Sequence, residues 1–269
     1  MMATIMFIAT VACTVEFGTN RSSLAEQYEQ TRLAAEQGDG DAQVELAVMY
    51  AYGEGVTQDY EQAVHWFRLA AEQGNKSGQF SLGSIYMVGL LGVPQDYEQA
   101  IHWYRLAAEQ GLAQAQLALG SMYRVGLGVE QDYEQTVYWF YLAAEQGFAE
   151  AQFSLGTMYL FGLGISKGIS RYSEQTAYWF RLAAEQGHAV AQDILGVMYE
   201  LGWGVSQDYE QAVYWYRLAA EQGLAEAQHN LGWMYYHGMG VYQDYEQAVY
   251  WLNLAAEQGH AYAQEILGY

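Results

Sequence analysis

The stretch Asp208–Gly223, DYEQAVYWYRLAAEQG, carries the fold of this chain. Asp208 followed by Gln211 has the spacing of a capping box, in which the first turn of a helix has its free N–H groups satisfied. Ala212, Trp215, Tyr216, Ala219 and Ala220 then recur at helical spacing as a stripe to be buried. Glu210, Tyr214, Arg217 and Glu221 turn outward, and Arg217 and Glu221, four residues apart, are placed to pair. Gly223 stands where a helix closes in left-handed backbone, with Leu224 able to fold back on the last turn. The closing string LAAEQG returns seven times, at Leu33–Gly38, Leu69–Gly74, Leu106–Gly111, Leu142–Gly147, Leu182–Gly187, Leu218–Gly223 and Leu254–Gly259. It reads as seven helix ends: small alanines for close stacking, Glu and Gln facing water, and glycine as the stop.

Successive copies lie 36, 37, 36, 40, 36 and 36 residues apart, a period that indicates stacked helical pairs. The other helix of each period is clearest at Ala227–Gly238, AQHNLGWMYYHG, where Ala227, Leu231, Met234 and Tyr235 share one face. Gly232 lies on that face and lets a neighbouring helix approach, offsetting a propensity penalty of roughly 1 kcal/mol. The connecting loop has the form GxGV, as at Gly238, Gly240 and Val241. It follows a helix rather than a strand, lacks a third glycine and has no lysine beside it, which argues against a nucleotide-binding loop.

The full pattern A-Q-x-x-L-G-x-M-Y-x-x-G-x-G-V-x-x-D-Y-E-x-A-x-x-W-x-x-x-A-A-E-Q-G resembles the Sel-one-like repeat (SLR) family, relatives of the tetratricopeptide repeats. The resemblance implies an all-α fold, a right-handed α/α superhelical solenoid of stacked antiparallel helix pairs. It parses the chain into an apolar segment (1–21), a half repeat or cap (22–41) and six repeats (42–77, 78–114, 115–150, 151–190, 191–226 and 227–262). Residues 263–269 begin a seventh repeat and leave Ile266, Leu267 and Tyr269 without a second helix. Truncation is the expectation there; docking of this open end on another chain, self-association included, is the alternative. The fourth repeat carries an insertion, Ile165–Ser173, whose Lys167 and Arg171 make a basic spot in an acidic array. A tolerated insertion at a loop tip is the plainer reading.

The net charge of −21, with only ten Lys and Arg, argues against nucleic acid and anionic membranes as partners. One cysteine, Cys13, rules out an intrachain disulfide and a cysteine-based zinc site. The first fifteen residues, MMATIMFIATVACTV, are too short for a bilayer span. They resemble the apolar region of a secretory signal, and Thr10–Cys13 resembles a lipoprotein cleavage box, yet no Lys or Arg precedes them. Export to the periplasm and a cytoplasmic location both stay open. No later stretch reaches transmembrane length without charge.

The search for chemistry yields no catalytic residues, no cofactor and no metal ligands. His65 and His102 hold positions occupied by Tyr138, Tyr178, Tyr214 and Tyr250 in other copies, so they read as surface amphipaths. His229 and His237 lie eight residues apart, about 12 Å along a helix, too far to share a zinc. His188 and His260 fall in turns between helices. Carboxylates such as Glu109 and Glu145 recur with the repeat, whereas acid–base pairs need two different environments. The resemblance implies a non-enzymatic scaffold or adaptor that holds a protein or peptide partner in a concave groove, with signalling or host-interaction roles in bacteria. Cysteine-rich members of the family have been proposed to bind or hydrolyse β-lactams, which supplies an alternative of exported hydrolase or small-ligand binder. This chain lacks their cysteines. A self-assembling structural protein is a further alternative.

In helical-pair solenoids the first helix of each pair lines the concave surface. Gln43, Gln79, Gln116, Gln152, Gln192, Gln228 and Gln264 repeat there and read as hydrogen-bonding groups between neighbouring units. The positions that vary are the informative ones for a partner. Phe80, Phe153 and Phe161 suggest an apolar concave strip, and Arg124 varies on the same face. His229, Trp233, Tyr236 and His237 make an aromatic patch of the residue types that dominate binding hot spots. The competing reading is that these aromatics pack between adjacent helices. Asp193 and Glu200 also vary on this face.

Overall fold

The computed structural model describes residues 21–165 and 174–268. Positions 1–20 of the apolar N-terminal segment, and all but Ile165 of the insertion at 165–173, lie outside the described residues, as does Tyr269. Among the described residues there are fourteen helices and no strand. They fall into two compact units, one ending at Gln131 and the other beginning at Asp132.

The first unit contains α1 (Arg21–Glu36), α2 (Gly40–Tyr52), α3 (Tyr60–Glu72), α4 (Lys76–Val88), α5 (Tyr97–Glu109) and α6 (Ala113–Val125). The second contains α7 (Tyr133–Glu145), α8 (Ala149–Phe161), α9 (Glu174–Glu185), α10 (Ala189–Leu201), α11 (Tyr209–Glu221), α12 (Ala225–His237), α13 (Tyr245–Glu257) and α14 (Ala261–Leu267). Within each unit every helix packs on the next, which makes antiparallel pairs. Even-numbered helices carry the recurring Gln and are called A-helices; odd-numbered ones end in LAAEQG and are called B-helices.

Local chemistry sets the ends. Asp59 and Asp96 in the first unit, and Asp132, Asp208 and Asp244 in the second, accept the backbone N–H of the Gln three residues on, each at 3.0 Å. The Gln of the expected capping box therefore contributes its main chain. A-helices end on glycines with φ between 67° and 78°. In the GxGV loops the second glycine meets the start of the preceding B-helix. A Cβ on Gly128 would sit 2.5 Å from the Tyr97 carbonyl oxygen, and one on Gly240 would collide with that of Tyr209. The glycine pair is thus a backbone-to-backbone joint.

The stripe read in Asp208–Gly223 is part of the core of the second unit: Ala212, Trp215, Tyr216, Ala219 and Ala220 are buried, as are Ala227, Leu231 and Met234 from α12. A Cβ on Gly232 would lie 2.9 Å from Leu252 Cγ, so α12 and α13 meet there without a side chain between them. The expected Arg217–Glu221 pair is not among the ion pairs of the described residues. Arg217 instead donates to the Tyr235 hydroxyl at 2.8 Å, because that acceptor lies across the contact with α12. Arg181 reaches Tyr199 in the same way at 3.0 Å, and in the first unit Arg105 reaches Tyr123 at 2.8 Å.

Each recurring Gln donates Nε2 to the carbonyl of an alanine eight residues before it. Gln43 bonds Ala35 at 3.1 Å in the first unit, and Gln228 bonds Ala220 at 3.2 Å in the second. These bonds satisfy carbonyls left free at B-helix ends. The Gln of LAAEQG then closes a ladder: Gln110 donates to Gln79, Gln186 to Gln152, Gln222 to Gln192 and Gln258 to Gln228, at 2.7 to 2.8 Å. This Gln is exposed, as the sequence suggests, and it also makes a bond that the sequence does not show. Its Nε2 reaches across one repeat, where a buried amide needs a donor.

Candidate functional site

Several of the residues that refuse to repeat lie on the A-helix face of the second unit. The position just after the recurring Gln is Val44, Phe80, Leu117 and Phe153 in four repeats, but Asp193 and His229 in the next two. Asp193 is 7% exposed, and Asn230 Nδ2 donates to its Oδ1 at 3.0 Å. Burial pushes the Asp193 carboxyl up to about 6, with the Asn230 bond opposing the rise. His229 Nδ1 lies 3.2 Å from Asn230 Oδ1, and its ring stacks on His260 with centroids 4.6 Å apart. Burial holds the His229 pKa below its ordinary value.

His260 caps α14: its Nδ1 accepts the Ala263 N–H at 3.3 Å. That acceptor role leaves the proton on Nε2, which lies 3.0 Å from Glu226 Oε2. His188 does the same at α10. Its Nδ1 accepts from Ala191 at 3.2 Å, its Nε2 lies 3.4 Å from Glu150, and its ring stacks on Phe153 at 4.3 Å. The His188 hydrogen bond holds the Glu150 carboxyl below its ordinary pKa. The turn histidines are therefore helix caps that also carry a ring on the A-helix face.

Tyr216 is fully buried on α11 and donates its hydroxyl to Glu200 Oε2 at 2.6 Å. Burial, and then this bond, raise the Tyr216 pKa. Glu200 in turn borders a pocket of about 440 Å³, with His229, Asn230 and Trp233 from α12 and Tyr262, Glu265 and Ile266 from α14. Trp233 is 42% exposed and packs on His237, centroids 4.1 Å apart. Tyr236 is exposed and meets Tyr245 edge-on at 5.4 Å.

The structure thus brings His229, Trp233, Tyr236 and His237 together on one face of α12. Phe153 is half-buried between Phe180 and His188, and Phe161 is exposed at the end of α8. Phe80 belongs to the other unit and to its core. It is 4% exposed and packs on Tyr104 at 5.5 Å, which at this residue is the competing reading of an aromatic packed between adjacent helices rather than part of an apolar concave strip open to a partner. Arg124 is exposed in the last turn of α6 in that same first unit. The reading from sequence had Glu200 among the varying positions without making it a site residue, and it missed Asn230, Tyr262 and Glu265. The position of Glu200 is Ala51, Met87, Arg124, Leu160 and Tyr236 in other repeats, and that of Asn230 is Glu45, Ser81, Ala118, Ser154 and Ile194, so variation itself was the only signal for either. Among the described residues no group of three His, Cys, Asp or Glu could hold a metal ion, and no helix is long and apolar enough to cross a membrane.

The Sel1 repeat family model matches residues 40–75, 76–112, 113–148, 149–188, 189–224 and 225–260. The chain belongs to the Sel1 repeat family. Among solved structures it is similar to c5321, a protective antigen present in uropathogenic Escherichia coli strains displaying an SLR fold. That pair shares 44% identity and a TM-score of 0.84 over 90% of this chain and 51% of the other. A Sel1 repeat protein from Oxalobacter formigenes is 36% identical with a TM-score of 0.75, over 91% of this chain and 69% of the other. The chain therefore spans about half the length of c5321. Comparison with curated proteins gave no match. The fold is an all-α Sel1 repeat solenoid, and Sel1 repeats typically serve as protein-interaction scaffolds.

Proposed function

We propose that this Sel1 repeat chain is a non-enzymatic scaffold that holds a peptide or protein segment on the A-helix face of its second unit. The observation that carries the proposal is the partly exposed Trp233, standing at the edge of a pocket built from three successive A-helices. Exposed aromatic anchors beside a concavity are what binding hot spots use. His229, Tyr236 and His237 extend the same surface, and the Gln ladder beneath it keeps the helices in fixed register, so a partner meets a preorganised face.

Selecting twelve-residue peptides from a random display library on the whole chain tests this. Selected peptides should lose about tenfold or more in affinity for a Trp233→Ala/Tyr236→Ala variant that retains its helical circular dichroism. Peptides that bind the variant as tightly as the parent chain would place the partner elsewhere.

A further inference from the structure

The pocket beside Trp233 has a definite chemical bias. Its apolar walls are the Trp233 indole, the Tyr262 ring and the Ile266 side chain, and its two charged groups are both carboxylates, Glu200 from α10 and Glu265 from α14. No Lys or Arg lines it, and neither carboxylate forms an ion pair among the described residues. The Tyr216 hydroxyl holds Glu200 in place through Oε2 without neutralising it. Glu265 is exposed.

An indole and two carboxylates bordering one pocket favour a cation. The ring quadrupole attracts a guanidinium or ammonium, and a carboxylate adds a charge-assisted hydrogen bond. An apolar side chain would fill the same space while removing water from two carboxylates and giving them no partner, which is unfavourable. An acidic side chain would meet like charge. The net charge of −21 acts in the same direction at longer range, steering basic partners toward the chain.

We propose that this pocket receives an arginine or lysine side chain, so that the partner is a basic peptide or protein segment anchored through one cationic residue. Arginine fits better, because its planar guanidinium stacks on an indole while its fork reaches a carboxylate. The inference rests on the proposed scaffold function and adds what the scaffold reads.

The peptides selected from the random library are the probe. Those that require Trp233 and Tyr236 should share an Arg or Lys whose replacement by Gln weakens binding about tenfold or more. A Glu200→Gln/Glu265→Gln variant should weaken the parent peptide to a similar degree, since Gln at 200 still accepts the Tyr216 hydroxyl. A Glu72→Gln/Glu109→Gln variant changes net charge equally, at exposed helix ends of the first unit, and should leave affinity within about twofold. Peptides that need Trp233 but tolerate loss of their basic residue would overturn the cation pocket and leave the scaffold reading standing. Equal losses in the two glutamine variants would overturn it in favour of bulk charge alone. A library that yields no binder, or binders indifferent to Trp233 and Tyr236, would overturn both readings.

Discussion

Tyr104 in the first unit and Tyr216 in the second occupy the same place in their repeats, and the two surroundings differ. Tyr104 packs on Phe80 and donates to Ser84 Oγ at 3.0 Å, a neutral bond inside an apolar setting. Tyr216 donates to the Glu200 carboxylate at 2.6 Å, and the Phe80 position is taken by Asp193. Burial raises the Tyr104 pKa to about 12; the Tyr216 pKa is raised too, by burial and by the bond to Glu200. The frame is common to both units: Asp caps, glycine stops and buried alanine pairs. One frame thus tolerates two chemistries on its A-helix face. In the first unit that face closes over itself at Phe80, and in the second it keeps carboxylates and an imidazole near the surface.

The strongest way to break this comparison is to write the second chemistry into the first unit. Phe80→Asp should destabilise the chain by about 3–5 kcal/mol in urea unfolding, since it removes a buried ring and buries a carboxylate without a partner. Asp193 has its partner in Asn230, which lies 37 residues on; the repeat-equivalent partner of position 80 is Ala118. Adding Ala118→Asn should recover about 1–2 kcal/mol. No recovery would mean that the Asp193–Asn230 pair depends on more than its two positions.

The second test removes the charge where it already stands. The folded pKa of Asp193 lies near 6, above the ordinary 3.8, so the folded chain holds the proton more tightly than the unfolded one. Such a group opposes folding as pH rises from about 4 through about 6, and the opposition is relieved as pH falls back. Asp193→Asn should therefore be more stable than the parent at pH 7 by about 2–3 kcal/mol, because each tenfold difference in proton affinity between the folded and unfolded chain is worth about 1.4 kcal/mol. The gap should close below about pH 4. Melting temperatures of the two proteins across this range check it, and a gap independent of pH would show that Asp193 is not the titrating group.

Smaller still is the contrast between the two tyrosines. Tyr216→Phe leaves the half-buried Glu200 carboxylate without its donor and should cost about 1.5–3 kcal/mol, the range for hydrogen bonds to charged groups. Tyr104→Phe should cost only about 0.5–1.5 kcal/mol, because Ser84 Oγ keeps its own bond to the Phe80 carbonyl at 2.9 Å. Equal costs in urea unfolding would remove the distinction between the two surroundings.

The frame was legible in the sequence because each of its parts acts locally. The LAAEQG glycines, the Asp–Gln spacing and Gly232 beside Leu231 act within a turn or against the next helix, and periodicity exposes them. What was hidden depends on contacts across a repeat. The Gln of LAAEQG is exposed as its sequence suggests, but nothing in its spacing shows that Gln258 also donates to the amide of Gln228, thirty residues before it. Phe80 and Phe161 are alike as letters, yet Tyr104 covers the first and the second ends its helix exposed at 57%. Glu200 and Tyr216 were each visible, one at a varying position and one as a core aromatic, but nothing in sequence spacing joins them. Asp193 was the recoverable half of its pair with Asn230, since it breaks the apolar run of Val44, Phe80, Leu117 and Phe153, whereas the position of Asn230 follows no pattern.

If the two units differ only on the A-helix face, bonds that belong to the frame should be worth the same in both. Arg105–Tyr123 and Arg217–Tyr235 are such a pair, each 2.8 Å long and each joining a B-helix to the next A-helix. Tyr123→Phe and Tyr235→Phe remove the acceptor while leaving an arginine that water can still solvate. Each should lower stability by about 0.5–1 kcal/mol, and the two values should agree within the error of a urea titration. A markedly larger loss at Tyr235 would mean that the polar face of the second unit extends to the frame beneath it. The separation between a shared joint and a specialised surface would then have to be drawn deeper in the repeat.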